Sequence, residues 1–543
     1  MTRRLATAVD ALRRVLANPD MRRALLAWML GYAAEWAWLV ALWVYAYEEG
    51  GVVAVGAVGL ARTLPAALLA SSLSTLADRL PRHWILAAVH LGRATIMATA
   101  TLSVALGWPA LIVYSLAPIE GLFSVLHRPS HASLLPSLAR SPEDLVASNA
   151  ASGIFEGLGS LAGPALAGVL LAIAGPAWTF VAPAAAAILA AIAISGVRPA
   201  QVLRRSAREG MVDILLGGAR ALVRHPAAGL IVGLFFAQIF VRGLLNVLLV
   251  VAAVELLGVG EAGVGWLNSS IGVGGLIGAL TAMTLIGSRR MAPAFAAGLV
   301  LWGSPILMIG LLPQPIVAAV LLAVLGLGNA VLDVAGYTIV QRSVPNAVRG
   351  RVFGVLEALV MLGLGAGSIL APILVRWLGP SGALVATGAL LPSLALLTWR
   401  WVARADAAGV IPARELRFLR GVPLLASLPM TVLEQVAGDL VPLKFAAGEP
   451  IITQGQVGDR FYIVTLGETV VVIDGHEVRR MGPGDAFGEI ALLRAVPRTA
   501  TITAVTDVEA YALDREHFLA AVTGDHLSRR AADAVVEERL ATR

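Results

Sequence analysis

Hydrophobic positions follow two rhythms along this chain. In the first, apolar runs of spanning length fall near residues 26 to 47, 51 to 76, 84 to 105, 108 to 127, 146 to 172 and 176 to 197. A helix needs about 20 such residues to cross a bilayer, so each run predicts one crossing. A polar stretch from Arg198 to His225 follows. Six further runs lie near 227 to 255, 262 to 287, 292 to 312, 315 to 341, 352 to 377 and 381 to 403. The second rhythm holds from Pro442 to Asp514. Short runs such as Phe461-Tyr-Ile-Val and Thr469-Val-Val-Val-Ile are broken by Gly467 and by Asp474-Gly475, which predicts short antiparallel strands. A charged helix is expected over about Asp525 to Leu540. The layout is six helices, a linker, six helices and a soluble β domain.

Composition agrees with this pattern. Of 543 residues only 14% are charged and 58% are hydrophobic, and the mean hydropathy is +0.81, the balance of a chain that lives in a lipid bilayer. The net charge of +6 comes from Arg rather than Lys. These arginines sit in short loops instead of a stripe that could follow a phosphate backbone, which argues against nucleic acid as a partner. The chain has no cysteine, so disulfides, thiolate metal sites and cysteine nucleophiles are excluded. Residues 1–25, with Arg3, Arg4, Arg13, Arg14, Arg22 and Arg23 and no small-residue cleavage site, read as a retained amphipathic segment.

Charge placement adds an orientation. Loops after even-numbered runs carry Arg79 and Arg82, Arg128 and Arg140, Arg289 and Arg290, and Arg342, Arg349 and Arg351, while loops after odd-numbered runs carry almost no cations. The positive-inside rule then puts both termini in the cytoplasm, with the helices in an inner (plasma) membrane. Within residues 198–226, beyond Arg204, Arg205 and Arg208, the stretch from Met211 to Arg224 sets apolar residues opposite basic ones at helical spacing. This predicts an interfacial helix on the inner leaflet.

Charges inside the apolar runs point to transport. Glu35, Glu120, Glu156, Asp333 and Glu357 each interrupt a run, as does Arg242. An ionised acid at the bilayer centre costs about 2.5 to 3.5 kcal/mol, so such residues face a wet cavity, carry a proton or pair internally. Glu35, Glu120, Glu156, Asp333 and Arg242 are the transport and proton candidates. Glu357, near Arg349, and Arg93 read as structural, and Gln238, Asn246 and Asn329 are weaker candidates for a polar lining. Trp36, Trp38, Trp43 and Tyr45 suit either a cavity wall or an interfacial belt. His127 and His131 flank Arg128-Pro129-Ser130 in what reads as a basic loop, and with no helical acid between them neither a metal site nor an enzymatic centre is expected.

A different chemistry lies in Phe487-Gly-Glu-Ile-Ala-Leu-Leu-Arg-Ala-Val-Pro-Arg-Thr-Ala-Thr-Ile502. Gly488 lets the backbone approach a ligand closely, and Glu489 to Leu493 form one helical turn whose free N–H groups face an anion. Arg498 reaches back to that anion through its planar fork of donors, while Glu489 is suited to accept hydroxyl hydrogens. An anion beside a diol describes a nucleotide. The stretch resembles the phosphate-binding cassette of cyclic-nucleotide-binding domains, F-G-E-[LI]-A-L followed by P-R-[AT]-A-T-[VI], and the likeness runs over about residues 418 to 540, with Gly455, Gly458, Asp459 and Gly467 in place. The resemblance implies that Glu489 holds the ribose 2′-hydroxyl and that Arg498 and the amides of Ile490 and Ala491 hold the cyclic phosphate. Phe487, Gly488 and Thr499 complete the site, with Thr499 near the purine. Cyclic AMP is the expected ligand. Thr499 keeps cyclic GMP open.

The membrane part carries motifs of its own. Leu73-Ser-Thr-Leu-Ala-Asp78-Arg79-Leu-Pro-Arg82-His83 resembles the inner-gate motif of the major facilitator superfamily, with Ser74 in place of Gly, and Gly163-Pro164-Ala-Leu-Ala-Gly168 resembles the G-P-x-x-G motif of its exporters. Leu134-Leu-Pro136 with Glu143, Leu145 and Asn149, and Arg349-Gly-Arg351-Val-Phe353, further resemble its multidrug, macrolide and siderophore exporters. The resemblance implies an all-α twelve-helix (6+6) fold followed by a β-roll cyclic-nucleotide-binding domain. The domains are 1–25, a cytoplasmic amphipathic segment; 26–197, the N-terminal six-helix half; 198–226, a linker; 227–403, the C-terminal half; 404–418, a connector; and 419–543, the nucleotide-binding domain. It also implies a proton-coupled exporter of amphiphilic small molecules under cyclic-nucleotide control. The alternatives are a non-transporting membrane sensor and a lipid or lysolipid flippase.

Overall fold

The structure, a computed structural model, describes residues 13 to 523 apart from residues 14, 78–79, 140–141, 199–210, 283–284, 286–289, 345, 410–412, 427 and 429. Asp78, Arg79, Arg140, Arg204, Arg205, Arg208 and Arg289, most of the N-terminal segment and the helix expected over 525–540 therefore lie outside the described residues, as does the side chain of Arg349. The chain divides into two compact units, Met1–Gly409 and Val410–Arg543.

The first unit is all helix. In chain order it comprises α1 Pro19–Ala77, α2 Arg82–Ala105, α3 Ala110–Leu138, α4 Pro142–Ala174, α5 Val181–Ser195, α6 Met211–Arg224, α7 Pro226–Val251, α8 Gly260–Ala282, α9 Ala292–Leu311, α10 Pro315–Ser343 and α11 Asn346–Gly409. Ten helical stretches among the described residues are long and apolar enough to cross a membrane. Two of them bend back on themselves at glycine: α1 at Gly50 and Gly51, where Gly51 has φ 62°, and α11 at Gly379, with φ 69°. Side chains with a Cβ adopt such angles only at a cost, so these glycines end one helix and begin the next without a loop. Pro226, Pro293 and Pro315 stand in the first turns of α7, α9 and α10, where the missing N–H has no partner to lose. Ile173, Ile316, Trp377 and Leu396 lie largely exposed on the outside of the bundle, a surface that suits lipid and not water.

Small residues set how the helices meet. A Cβ on Gly163 would stand 2.4 Å from the Ala33 carbonyl oxygen, and one on Gly265 would stand 2.4 Å from that of Pro164. The Gly163-to-Gly168 stretch of α4 is thus pressed against α1 on one side and α8 on the other, and α8 lies past the linker in sequence. On α1, Gly56 and Gly59 make an equivalent approach to Ser368 and Pro372 of α11. The linker helix α6 packs its Gly217-Gly218 face onto Arg351 and Val355 of α11 and leaves Leu216 and Val223 exposed.

Two readings of the sequence are corrected here. His127 and His131 are not in a loop: α3 runs unbroken from Ala110 to Leu138 through Pro118, Pro129 and Pro136, and both rings are buried. Proline survives in such a helix because neighbouring helices satisfy the freed carbonyls. Trp38, Trp43 and Tyr45 belong to the packed core rather than to an interfacial belt, with Trp38 against Phe180 at 5.3 Å between ring centroids.

The second unit begins with α12 Ala413–Gly421 and α13 Met430–Gly438 and continues into two four-stranded antiparallel sheets. Its strands are β1 Val441–Phe445, β2 Pro450–Ile452, β3 Arg460–Leu466, β4 Thr469–Ile473, β5 His476–Met481, β6 Ala486–Phe487, β7 Thr501–Ala504 and β8 Val508–Asp514. The helix α14 Glu489–Arg494 lies between β6 and β7, and α15 Arg515–Thr523 follows β8. One sheet has the order β1-β8-β3-β6, the other β2-β7-β4-β5. Strand β3 is buried on both faces. Phe461 and Ile463 join Leu492, Leu513 and Phe518 under the helices, while Tyr462 and Val464 point to the opposite face and join Phe487, Ile502 and Ala510 between the sheets. Asp474 and Gly475 form the two-residue β4–β5 turn, with φ of 50° and 85° as a tight hairpin requires.

Candidate functional site

In the second unit the cassette wraps a cavity. Phe487, Gly488, Glu489, Ile490 and Ala491 line it on one side with Arg498 and Thr499, and Ile452, Val471, Ile473, Met481 and Ile502 of the second sheet form an apolar wall opposite. Gly488 has φ 95°, and a Cβ there would stand 2.7 Å from Arg498 Nη1, so only glycine fits. Gly458 has the same role across the turn, where a Cβ would stand 2.7 Å from that of Ala491. Both glycines clear the approach to α14.

Arg498 is buried and fixed mainly by neutral acceptors. Its Nη1 donates to Gly488 O at 3.1 Å and its Nη2 to Arg460 O at 2.7 Å and, more weakly, to solvent-exposed Asp459 at 3.5 Å. The Tyr462 ring lies 6.0 Å below the guanidinium and itself stacks on Phe487 at 5.2 Å. Burial draws the Arg498 pKa below its ordinary value, and Tyr462, Asp459 and Glu489 oppose that shift. A guanidinium held this way keeps its positive charge and directs it into the cavity. Glu489 is buried beside it at the start of α14. The fit to an anion with neighbouring hydroxyls therefore rests on a charge that carbonyls position without cancelling.

In the first unit, two of the candidate acids come together with two arginines. Arg62 donates from Nε to Glu120 at 2.7 Å and from Nη2 to Glu35 at 2.9 Å, and Arg93 Nη2 lies 2.8 Å from Glu35 and 3.1 Å from Glu120. Ser124 Oγ sits among all four, 2.9 Å from Arg62, 2.8 Å from Arg93, 3.0 Å from Glu35 and 2.9 Å from Glu120. Arg93 and Glu120 are fully buried. Glu35 and Glu120 are thus not separate acids in a wet cavity but halves of a self-neutralised quartet. Arg93, read from sequence as packing, is one of its members.

The other candidates fall elsewhere. Glu156 on α4 is chelated by Arg128 of α3 at 2.8 and 3.1 Å. Asp333 on α10 accepts from Asn329 Nδ2 at 2.9 Å, and Asn329 Oδ1 in turn accepts from Trp302 Nε1 at 2.9 Å and from Gln238 at 3.4 Å. Among the described residues Asp333 makes no ion pair within 4 Å, although it lies in the field of Arg242. Arg242 stands over the Trp36 ring at 5.6 Å, joining α7 to α1. Arg82 opens α2 and the exporter motif sits at the α1–α4–α8 junction described above, while Asp78 and Arg79 lie outside the described residues.

Comparison with known proteins decides the family. Residues 18–421 match the MFS_3 family model, described as a transmembrane secretion effector. The chain belongs to that family. Residues 442–525 match the cyclic nucleotide-binding domain model, so a transporter-family membrane unit is fused to a C-terminal cyclic nucleotide-binding domain, in a multi-pass membrane protein. The chain is 43% identical over 103 residues to a cAMP-dependent protein kinase regulatory subunit of Emericella nidulans, covering 19% of this chain and 25% of that protein. Among solved structures, the regulatory domain of Toxoplasma gondii PKA with cAMP is 39% identical over 20% of this chain and 43% of that one, with a TM-score of 0.19. The Thermus thermophilus catabolite activator protein is 31% identical over 22% and 58%, with a TM-score of 0.20. The chain thus spans a quarter of the curated relative it matches and about half of these structures.

Sequence reasoning missed Arg62, Ser124 and Arg128 as partners of the membrane unit's acids. The available signal was stoichiometry. Buried acids in a bilayer need cations, and Arg62 and Arg93 were cations within apolar runs.

Proposed function

We propose that the chain is a proton-coupled exporter of amphiphilic small molecules whose cytoplasmic C-terminal domain binds cyclic AMP and regulates transport. Dividing α1 at Gly51 and α11 at Gly379 turns the ten candidate spans into twelve, arranged as six and six about the linker helix. Asp333 is the acid best placed to take up and release a proton in this reading, because Asn329 alone bonds it, Trp302 and Gln238 hold Asn329 in turn, and among the described residues no cation stands within ion-pairing distance, Arg242 acting only through its field. Arg242 stands over Trp36 and lies in the field of Asp333, Arg128 and Glu156, a group that in this reading offers aromatic and charged contacts to an amphiphilic cargo.

The observation that carries the regulatory part is Arg498, buried and held by carbonyls beside Glu489. In this reading the α14 amides and Arg498 hold the cyclic phosphate, Glu489 the ribose hydroxyl, and the apolar sheet wall the base. The relatives named for cAMP favour that nucleotide, and Thr499 on the cavity wall is the position at which cyclic GMP competes. A regulator must bind one transport state better than the other, with coupling of about 1 to 3 kcal/mol.

The test is dye and proton flux in proteoliposomes under an imposed pH gradient, with and without cyclic AMP, for the wild type and Arg498→Ala. Nucleotide-dependent flux in the wild type alone is expected; identical flux in all four cases removes the regulatory claim. Titration of both nucleotides by calorimetry decides the ligand, and tighter binding of cyclic GMP would reverse the choice.

A further inference from the structure

The N-terminal half holds a polar column that the reading above does not use. Glu120, Ser124, His127 and His131 follow one another at intervals of four, three and four along α3, so they share one face over about 16 Å. From α2, His90 and Arg93 meet this face. His131 Nε2 is 3.0 Å from Ser152 Oγ of α4, its ring stacks on Trp28 at 4.0 Å, Trp28 lies 4.7 Å from His127, and His127 lies 5.1 Å from His90. Beyond His90, Arg93 reaches Glu35 and the quartet. A histidine core of this kind is deliberate in its space. A Cβ on Gly31 would stand 2.6 Å from the His90 ring and 2.8 Å from His127 Nε2, so the glycine is what admits both rings.

All three rings are buried, at 1–3% exposure. Yet His90 Nδ1, His127 Nε2 and Arg93 Nε and Nη1 have no hydrogen-bond partner among the described residues. Buried nitrogens are ordinarily paired with protein or with bound water, and each exception calls for an explanation. The rings are faced by Arg93 from α2, by Arg128 on α3 itself with its partner Glu156 on α4, by Tyr32 from α1 and by Ser152.

We propose that His90, His127 and His131 form a proton pathway inside the N-terminal half, linking the Glu35–Arg93 quartet to the Ser152 end of the bundle and separate from the cargo route between the halves. The inference rests on the proton-coupled reading. Each step moves one proton and no electrons: the rings are not hydrogen-bonded to one another, so the pathway requires bridging water, from which an imidazole accepts a proton at one ring nitrogen and to which it releases another from the second nitrogen before returning by tautomer exchange.

The test uses the full chain in proteoliposomes with trapped pyranine, an imposed pH gradient and ethidium as the transported probe. His127→Ala is expected to lose at least tenfold in dye-linked proton flux. Added imidazole is expected to restore it, and pyrazole, of the same shape but unprotonated near neutral pH, is not. Equal rescue by both would mean the ring only fills space and would overturn the pathway, as would unchanged flux in the variant. If His127→Ala does not reconstitute, His127→Phe refills the site, and retained proton flux in it overturns the proposal equally. Wild-type vesicles that move the dye without moving protons overturn both this pathway and the coupling it rests on, whereas a coupled wild type with an unaffected variant overturns the pathway alone.

Discussion

Both units bury arginine beside glutamate, and they do so to opposite ends. In the membrane unit Arg62 and Arg93 are matched by Glu35 and Glu120 at 2.7 to 3.1 Å, so the formal charge of the group sums to zero. In the soluble unit Arg498 is held by the Gly488 and Arg460 carbonyls, which orient the guanidinium and leave its charge standing. Removing charge from water is costly unless it is compensated, and Arg498, with only a 3.5 Å contact to exposed Asp459 and with Glu489 nearby, is less closely matched than the quartet and has room for an anion from outside. The quartet balances its own charge. The cradle is completed by a ligand.

The comparison breaks most visibly in stability. Arg93→Met leaves Glu35 and Glu120 with half their counter-charge and is expected to cost about 3 to 5 kcal/mol, read as a fall in the melting temperature of the detergent-purified chain. The paired change Arg93→Met with Glu120→Gln restores neutrality and should recover much of that loss. A double variant no more stable than the single one would show that packing, and not charge balance, holds the quartet. Arg498→Ala, in contrast, is expected to weaken cyclic AMP binding about 100-fold, close to 3 kcal/mol, because a charge-assisted contact to the phosphate disappears. An affinity within threefold of the wild type, measured by calorimetry, contradicts the cradle.

Smaller effects sharpen the contrast. Gly488→Ala forces a Cβ to 2.7 Å from Arg498 Nη1 at a φ of 95°, and the strain should cost roughly 1 to 3 kcal/mol in binding and domain stability together. Thr499→Ala removes one hydroxyl from the cavity wall and should move the cyclic AMP to cyclic GMP preference by less than about tenfold, near 1 kcal/mol, with little change in stability. An Ala variant with an unaltered preference would place base selection elsewhere on the wall.

The two sites were not equally legible. The cradle could be read from sequence because its parts lie within Phe487 to Thr499, and local spacing there fixes geometry through one turn of helix and one tight glycine. The quartet assembles from Glu35, Arg62, Arg93 and Glu120, separated by 27 to 58 positions from their partners, and apolar periodicity says little about which way an all-apolar helix faces. The same weakness hid the histidine column. Pro129 between His127 and His131 suggested a loop, whereas the surrounding helices let α3 continue through it. The crossings at Gly51 and Gly379 show the reverse case. The sequence pattern separates the runs there, while the backbone turns so tightly that each pair of helices reads as one continuous element.

The seam where α4 meets α1 and α8 has a mechanical meaning. Gly159, Gly163, Gly168, Gly265 and Gly272 leave this contact almost without protruding side chains, so there are few ridges to climb out of grooves when one helix slides past another. A bulky residue at Gly168, where a Cβ alone would stand 2.9 Å from the Ala262 carbonyl oxygen, would wedge α4 and α8 apart and disfavour the packing seen here.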